Sequence, residues 1–188
     1  MAKTRDDLKI DGKSFTDGID KKIYDQCIFS NCDFSNAKIH SCNFTDCTFV
    51  NCNVSMTDFH NTTLNNVVFV NCKILGVKFN YCHDFIFEVS FDNCILDYSS
   101  FEKRKMSKTI FKNSSLKGVD FGEADLKQAQ FTECDLNEAI FYDTNIQEAD
   151  FTSAYNYVID LSQNYIKKAR FSKNELIGLL SQFDIVIE

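Results

Sequence analysis

The sequence predicts an all-β solenoid closed by a short C-terminal helix and strand, and three observations carry that reading. A bulky apolar residue recurs every five positions, at Phe29, Phe34, Ile39, Phe44, Phe49, Val54, Phe59, Leu64, Phe69, Ile74 and Phe79. Two residues before each lies a compact side chain: Cys27, Cys32, Ala37, Cys42, Cys47, Cys52, Thr57, Thr62, Val67, Cys72 and Val77. After a two-residue shift near Asn80–His83, the period resumes at Ile86, Phe91, Leu96, Phe101, Met106, Phe111, Leu116, Phe121, Leu126, Phe131, Leu136, Phe141, Ile146 and Phe151. A period of five fits neither a helix nor a plain strand, so it marks an internal repeat. Fourteen of the 19 Phe fall on the two series, where random placement would put about a fifth.

Residues 1–23 are the least regular stretch. Their small-residue slots would hold Asp17 and Lys22, so the sequence suggests a loose lead-in whose Phe15, Ile19 and Ile23 cover the first exposed edge. Residues 24–171 form the repeat region. If four fives make one square turn, residue i stacks on i+20, or on i+22 across the shift. One column then reads Phe29, Phe49, Phe69, Phe91, Phe111, Phe131, Phe151, and another Ile39, Phe59, Phe79, Phe101, Phe121, Phe141, Leu161. The small slots sort equally well, as in Cys32, Cys52, Cys72, Cys94, Ser114, Cys134, Ala154. Bulky and small residues point inward, and successive coils pair at the strand spacing of about 4.8 Å. About seven coils are expected from Tyr24 to Phe171.

Residues 172–188 change character. Ser172-Lys173-Asn174-Glu175 has the pattern of a capping box. Leu176, Leu179, Leu180 and Phe183 then lie on one helical face, and residues 184–188 read as a short strand. Such an element caps the solenoid or pairs two copies in a homodimer.

Several side chains invite chemistry. There are nine Cys, and Cys27, Cys32, Cys42, Cys47 and Cys52 are spaced by five or ten rather than as C-x-x-C pairs, which makes them core filler and not metal ligands. With no apolar leader in the first residues, they point to reduced thiols in a cytoplasm. His40 and His60 are twenty apart and should stack on an outer face, with Asn80 next in their column. Asp84 and Arg104 both fall in a small inward slot. An unpaired charge cannot stay there, so they either bridge adjacent coils or turn outward on a bulging face.

Net charge is −7, which argues against a general binder of nucleic acid or anionic membrane. The charge is polarised along the chain. Residues 102–117 carry Lys103, Arg104, Lys105, Lys108, Lys112 and Lys117 against Glu102. Between Val119 and Phe151 stand Asp120, Glu123, Asp125, Glu133, Asp135, Glu138, Asp143, Glu148 and Asp150 against Lys127 alone. No phosphate-binding loop, metal motif or nucleophile triad emerges, so no cofactor and no enzymatic activity are expected.

Ala124-Asp125-Leu126, Cys134-Asp135-Leu136, Ala149-Asp150-Phe151 and Cys32-Asp33-Phe34 resemble the loose consensus of the pentapeptide-repeat family, Ala-(Asp/Asn)-(Leu/Phe)-x-x. The resemblance covers about residues 24–171 and implies a right-handed quadrilateral β-helix. The tail from Tyr155 onward is similar to members that bind DNA gyrase, among them quinolone-resistance and microcin-immunity proteins, which form rod-shaped dimers imitating duplex DNA. By that resemblance the partner is a type II topoisomerase, DNA gyrase or topoisomerase IV, met by the acidic residues named above. The chain departs from the quinolone-resistance type, whose projecting loops matter for protection, because its one interruption is two residues. The alternative is an interaction scaffold for an unrelated protein, in which acidity serves solubility.

Overall fold

A computed structural model of the chain describes residues 4–183 and 185–186. It is a parallel β-solenoid of about eight coils. The pairing runs coil to coil: Phe29 opposite Phe49, Phe49 opposite Phe69, Phe69 opposite Phe91, and Phe91 opposite Phe111. Inside, the Phe29 column stacks nearly face to face, with ring centroids 4.8 Å apart for Phe29–Phe49 and 4.6 Å for Phe131–Phe151. Neighbouring columns meet edge-on, as Phe101 and Phe111 do at 78°. Offset stacks and T-shaped contacts are the favourable aromatic geometries, which is why Phe fills a square section so well.

The compact slots have a second task. Thr57 Oγ1 donates to Phe34 O at 2.8 Å, Thr62 Oγ1 to Ile39 O at 2.6 Å, and Cys52 Sγ to Phe29 O at 3.4 Å. Slots that hold Cys, Thr or Ser thus supply a small donor for a buried carbonyl of the preceding coil without overfilling the core. All nine cysteines are buried and unpaired. Burial pushes the Cys47 and Cys134 thiols up to about 12, so they are inert protonated filler at neutral pH.

The turns between faces sit two residues after most bulky positions and take positive φ. Asparagine, the non-glycine residue that tolerates this region best, holds many of them, including Asn31, Asn51, Asn71, Asn93 and Asn113. Their side chains also ladder: Asn93 Nδ2 donates to Asn71 Oδ1 at 2.7 Å, and Asn31 Nδ2 to Asp11 Oδ1 at 2.8 Å.

The lead-in is more regular than the sequence suggests. Thr4–Asp6 pairs with Ile23–Asp25 and Lys9–Asp11 with Ile28–Ser30, so this stretch forms the extra coil beyond the seven expected. A terminal coil has a neighbour on one side only. Its slots are partly open to water, and Asp17 lies exposed while Lys22 is half-buried. Lys9, Asp11 and Lys13 charge this outer edge against strand addition.

The register shift also differs from its sequence reading. His83 N donates to Thr62 O, so Cys82, not Asp84, fills the small slot after Thr62. Phe87, not Ile86, then pairs with Leu64, and Val89 pairs with Val67. Phe87 is buried and Ile86 is 47% exposed. The chain therefore gains three residues before Phe87 and loses one before Val89. Phe85 stands at the bulge, 89% exposed.

At the other end, Lys173–Glu175 makes a 3-10 turn and Ile177–Leu180 one turn of α-helix, shorter than the face from Leu176 to Phe183 suggests. Ser172 Oγ accepts from Asn174 N, while Glu175 reaches Asn156 N of the rod and not back to Ser172. Gly178 presses on Tyr157, where a Cβ would meet Tyr157 O at 1.8 Å, so glycine alone permits this docking. The strand expected over 184–188 falls mainly outside the described residues; Ile185 and Val186, which are described, are not in a strand.

Candidate functional site

Four surface features hold the residues singled out by sequence: the acidic half, the interrupted coil, the histidine pair on an outer face and the C-terminal end.

The nine acids do not converge on one stripe. Glu133, Glu138, Asp143 and Glu148 occupy four successive turns of one coil, with φ between 51° and 60°, and so ring the rod. Asp120, Asp125, Asp135 and Asp150 precede bulky residues on the flat faces. Four of the nine are met by cations: Glu123 by Lys103 at 3.3 Å, Asp135 by Lys117 at 3.2 Å, Glu148 by Lys127 at 3.8 Å and Asp150 by Arg170 at 3.0 Å. Burial raises the Asp135 carboxyl, but hydrogen bonds from Asn156 and the Asn137 amide, with the Lys117 ammonium, outweigh it and hold the carboxyl below the usual range. Among the described residues, Asp120, Asp125, Glu133, Glu138 and Asp143 have no cation within bridging distance. The structure thus shows an acidic belt with five unneutralised members.

Arg104 and Asp84 meet, but not as two inward charges. Arg104 is 4% exposed and sits in the small slot between Cys82 and Ala124. Its guanidinium donates to Cys82 O at 3.1 Å, His83 O at 2.8 Å and Asp84 Oδ1 at 3.0 Å, and lies 4.5 Å from the Phe87 ring centroid. The Asp84 side chain is 89% exposed. The bulge swings the backbone out, leaving a space that a long side chain fills and carbonyls that its fork satisfies.

His40 and His60 lie one above the other on the outer face, edge-on at 65° with centroids 5.8 Å apart, and His40 Nε2 lies 2.7 Å from Asp58 Oδ2. The Tyr81 ring also meets His60 edge-on, with centroids 6.4 Å apart. Among the described residues, no group of three or more His, Cys, Asp or Glu is placed to hold a metal ion, and no helix is long and apolar enough to cross a membrane.

The C-terminal residues divide by role. Leu179 is buried and Leu180 half-buried against the rod, as a cap requires. Leu176 and Phe183 remain 47% and 55% exposed, beside Ile177, Ile185 and Val186.

The family profile described as pentapeptide repeat region matches residues 22–83 and 85–155. No curated protein matches the chain. Among solved structures it is similar to a trypsin-treated variant of QnrB1, a plasmid-mediated fluoroquinolone resistance protein, with a TM-score of 0.78 and 18% identity over 100% of both chains. Full-length QnrB1 aligns with a TM-score of 0.54 and 17% identity, covering 97% of this chain and 100% of that one. HetL, involved in heterocyst differentiation regulation in the cyanobacterium Nostoc sp. strain PCC 7120, aligns at 0.44 and 12% identity, over 90% and 85% of the chains. At these identities the likeness is one of fold. The rod, its ladders and the profile match together place this chain in the pentapeptide-repeat family.

Proposed function

We propose that the protein is a cytoplasmic, non-enzymatic protein-binding rod whose acidic belt engages a type II topoisomerase in place of DNA. The observation that carries this reading is the conformation of the belt. Positive φ is costly for a glutamate and cheap for an asparagine, and this chain uses asparagine at many of its other turns. Glutamates at these turns serve stability less well than asparagines would, which favours a role for their charge. The fold likeness to a fluoroquinolone resistance protein supports the choice of target. The scaffold reading draws support from the four ion-paired acids and from the spread of acids over every face.

A gyrase supercoiling assay across a salt series tests the proposal. The protein is expected to inhibit, with inhibition fading as added salt screens the belt. Changing Glu133, Glu138, Asp143 and Glu148 to Asn is expected to leave unfolding stability equal or higher while abolishing inhibition. No inhibition at large molar excess removes this target. Equal inhibition by the variant removes the charge mechanism.

The rod is further proposed to pair through its C-terminal end. Leu176, Ile177, Phe183, Ile185 and Val186 leave apolar side chains exposed in the C-terminal segment, which a two-fold contact would cover. Sedimentation should give a dimer for the native chain and a monomer for the Ile177→Asp, Phe183→Asp variant; a native monomer refutes the pairing.

A further inference from the structure

The register shift opens a gap in the backbone ladder that the spacing of the repeats does not reveal. Where the coils are regular, three hydrogen bonds tie each face to the next. Met106 N donates to Asp125 O at 2.9 Å, Asp125 N to Arg104 O at 2.9 Å, and Lys108 N to Lys127 O at 2.8 Å. One coil earlier on the same face, the equivalent bonds are missing: no backbone hydrogen bond joins Phe87–Val89 to Lys105–Ser107. The Cys82 carbonyl, whose counterpart Cys42 O accepts from Thr63 N of the next coil, is taken by Arg104 instead. Pairing resumes only at Ser90 opposite Ile110.

The two unpaired lips border a cleft of about 410 Å³, lined by Asn66, Glu88, Val89, Lys105, Ser107 and Lys108 among others. Its size falls in the range of ligand sites. Its walls differ from an ordinary pocket: the strand Phe87–Asp92 runs along one side, Lys105 and the turn at Ser107 and Lys108 form the other, and no backbone hydrogen bond joins Phe87–Val89 to them. Lys105 and Lys108 are exposed on the lower lip, and neither has a carboxylate within bridging distance among the described residues. Lys103, Lys112 and Lys117, by contrast, are all paired. Glu88 is the one acidic residue lining the cleft.

From this geometry we infer that the cleft is a docking slot for an extended, acidic segment of a protein partner. An extended backbone supplies the donors and acceptors that the missing coil contacts leave open, as in strand addition to a sheet edge. Carboxylates on such a segment meet Lys105 and Lys108. The slot rests on the reading of this chain as a protein-binding rod, and is independent of which partner the acidic belt meets.

The test uses the full-length protein labelled with nitrogen-15 and a six-residue peptide of alternating valine and glutamate. Its titration is expected to shift the amide signals of Phe87, Val89, Lys105 and Ser107 together. Two companions separate the contributions: the valine–lysine peptide, and the valine–glutamate peptide N-methylated at alternate amides, which keeps charge but cannot pair as a strand. Both should bind at least tenfold more weakly, as should the original peptide to the Lys105→Glu, Lys108→Glu variant, whose changes are at exposed positions. Absent shifts at millimolar peptide overturn the proposal. So does equal binding by the N-methylated peptide, which would leave only general attraction to the lysines. Because supercoiling is not read here, failure of the slot and failure of the topoisomerase target are separate results.

Discussion

Replacing Phe101 with alanine is expected to lower the free energy of unfolding by about 3–5 kcal/mol. Phe101 is fully buried, stacked between Phe79 at 4.7 Å and Phe121 at 5.5 Å. It also meets Phe87, Phe91 and Phe111 edge-on. In a globular core, neighbours relax partly into a hole, which softens the cost. Here the coils above and below are held at strand spacing by backbone bonds, such as Phe101 N to Asp120 O at 2.8 Å, so collapse would break the ladder. Total stabilities of domains run to about 5–15 kcal/mol, which makes this one residue a large share of the whole. Phe101→Leu should cost distinctly less, since leucine fills the neighbouring columns at Leu116 and Leu126. Urea unfolding followed by circular dichroism reads both. A loss below about 1 kcal/mol for the alanine variant would mean that the coils can close over the cavity, and the rigid-ladder account would fail.

The ladders themselves are legible in the sequence because a solenoid repeats one contact many times. Phe29, Phe49, Phe69, Phe91 and Phe111 align by counting, and an error at one position would break every later column. What counting conveys is the net shift of a register. A gain of three and a loss of one leave the same later columns as a single gain of two, so counting puts Asp84 and Ile86 inward where Cys82 and Phe87 belong. A signal for the second event is present. Phe87, Val89 and Phe91 alternate with polar residues at a period of two, which marks a strand running through a turn position without turning. The first coil is obscured for another reason: an end coil contacts one neighbour, so its slots tolerate Asp17 and Lys22 and the sequence loses its pattern. The docking of the terminal helix on Tyr157 through Gly178 leaves no local trace, since a close approach between distant segments has no periodicity. For the acidic belt, the composition is plain and its function is not, because pairing with Lys103, Lys117, Lys127 and Arg170 depends on which residues the coil brings into register.

Arg104→Ala is expected to cost about 3 kcal/mol, and Asp84→Ala under about 1 kcal/mol, although the two side chains share a salt bridge. The asymmetry follows from burial. Asp84 is 89% exposed on its side chain, so water replaces its partner when the bridge is lost. Arg104 is 4% exposed, and its loss strands the Cys82 and His83 carbonyls and opens a cavity against the Phe87 ring. The alanine itself creates no clash, since Ala124 fills the same slot one coil on. The penalty therefore lies with the carbonyls and the void, not with the new side chain. Lysine should recover only part of it, because an ammonium cannot fork to two carbonyls while lying on the ring. Two measurements locate the effect: urea unfolding for the global cost, and the rate of chymotrypsin cleavage after Phe85 for the bulge. If Arg104 pins the interruption, cleavage accelerates in Arg104→Ala under conditions where the rod stays folded, and barely changes in Asp84→Ala. Equal losses for the two variants would show that the ion pair, rather than the buried fork, holds the coil together.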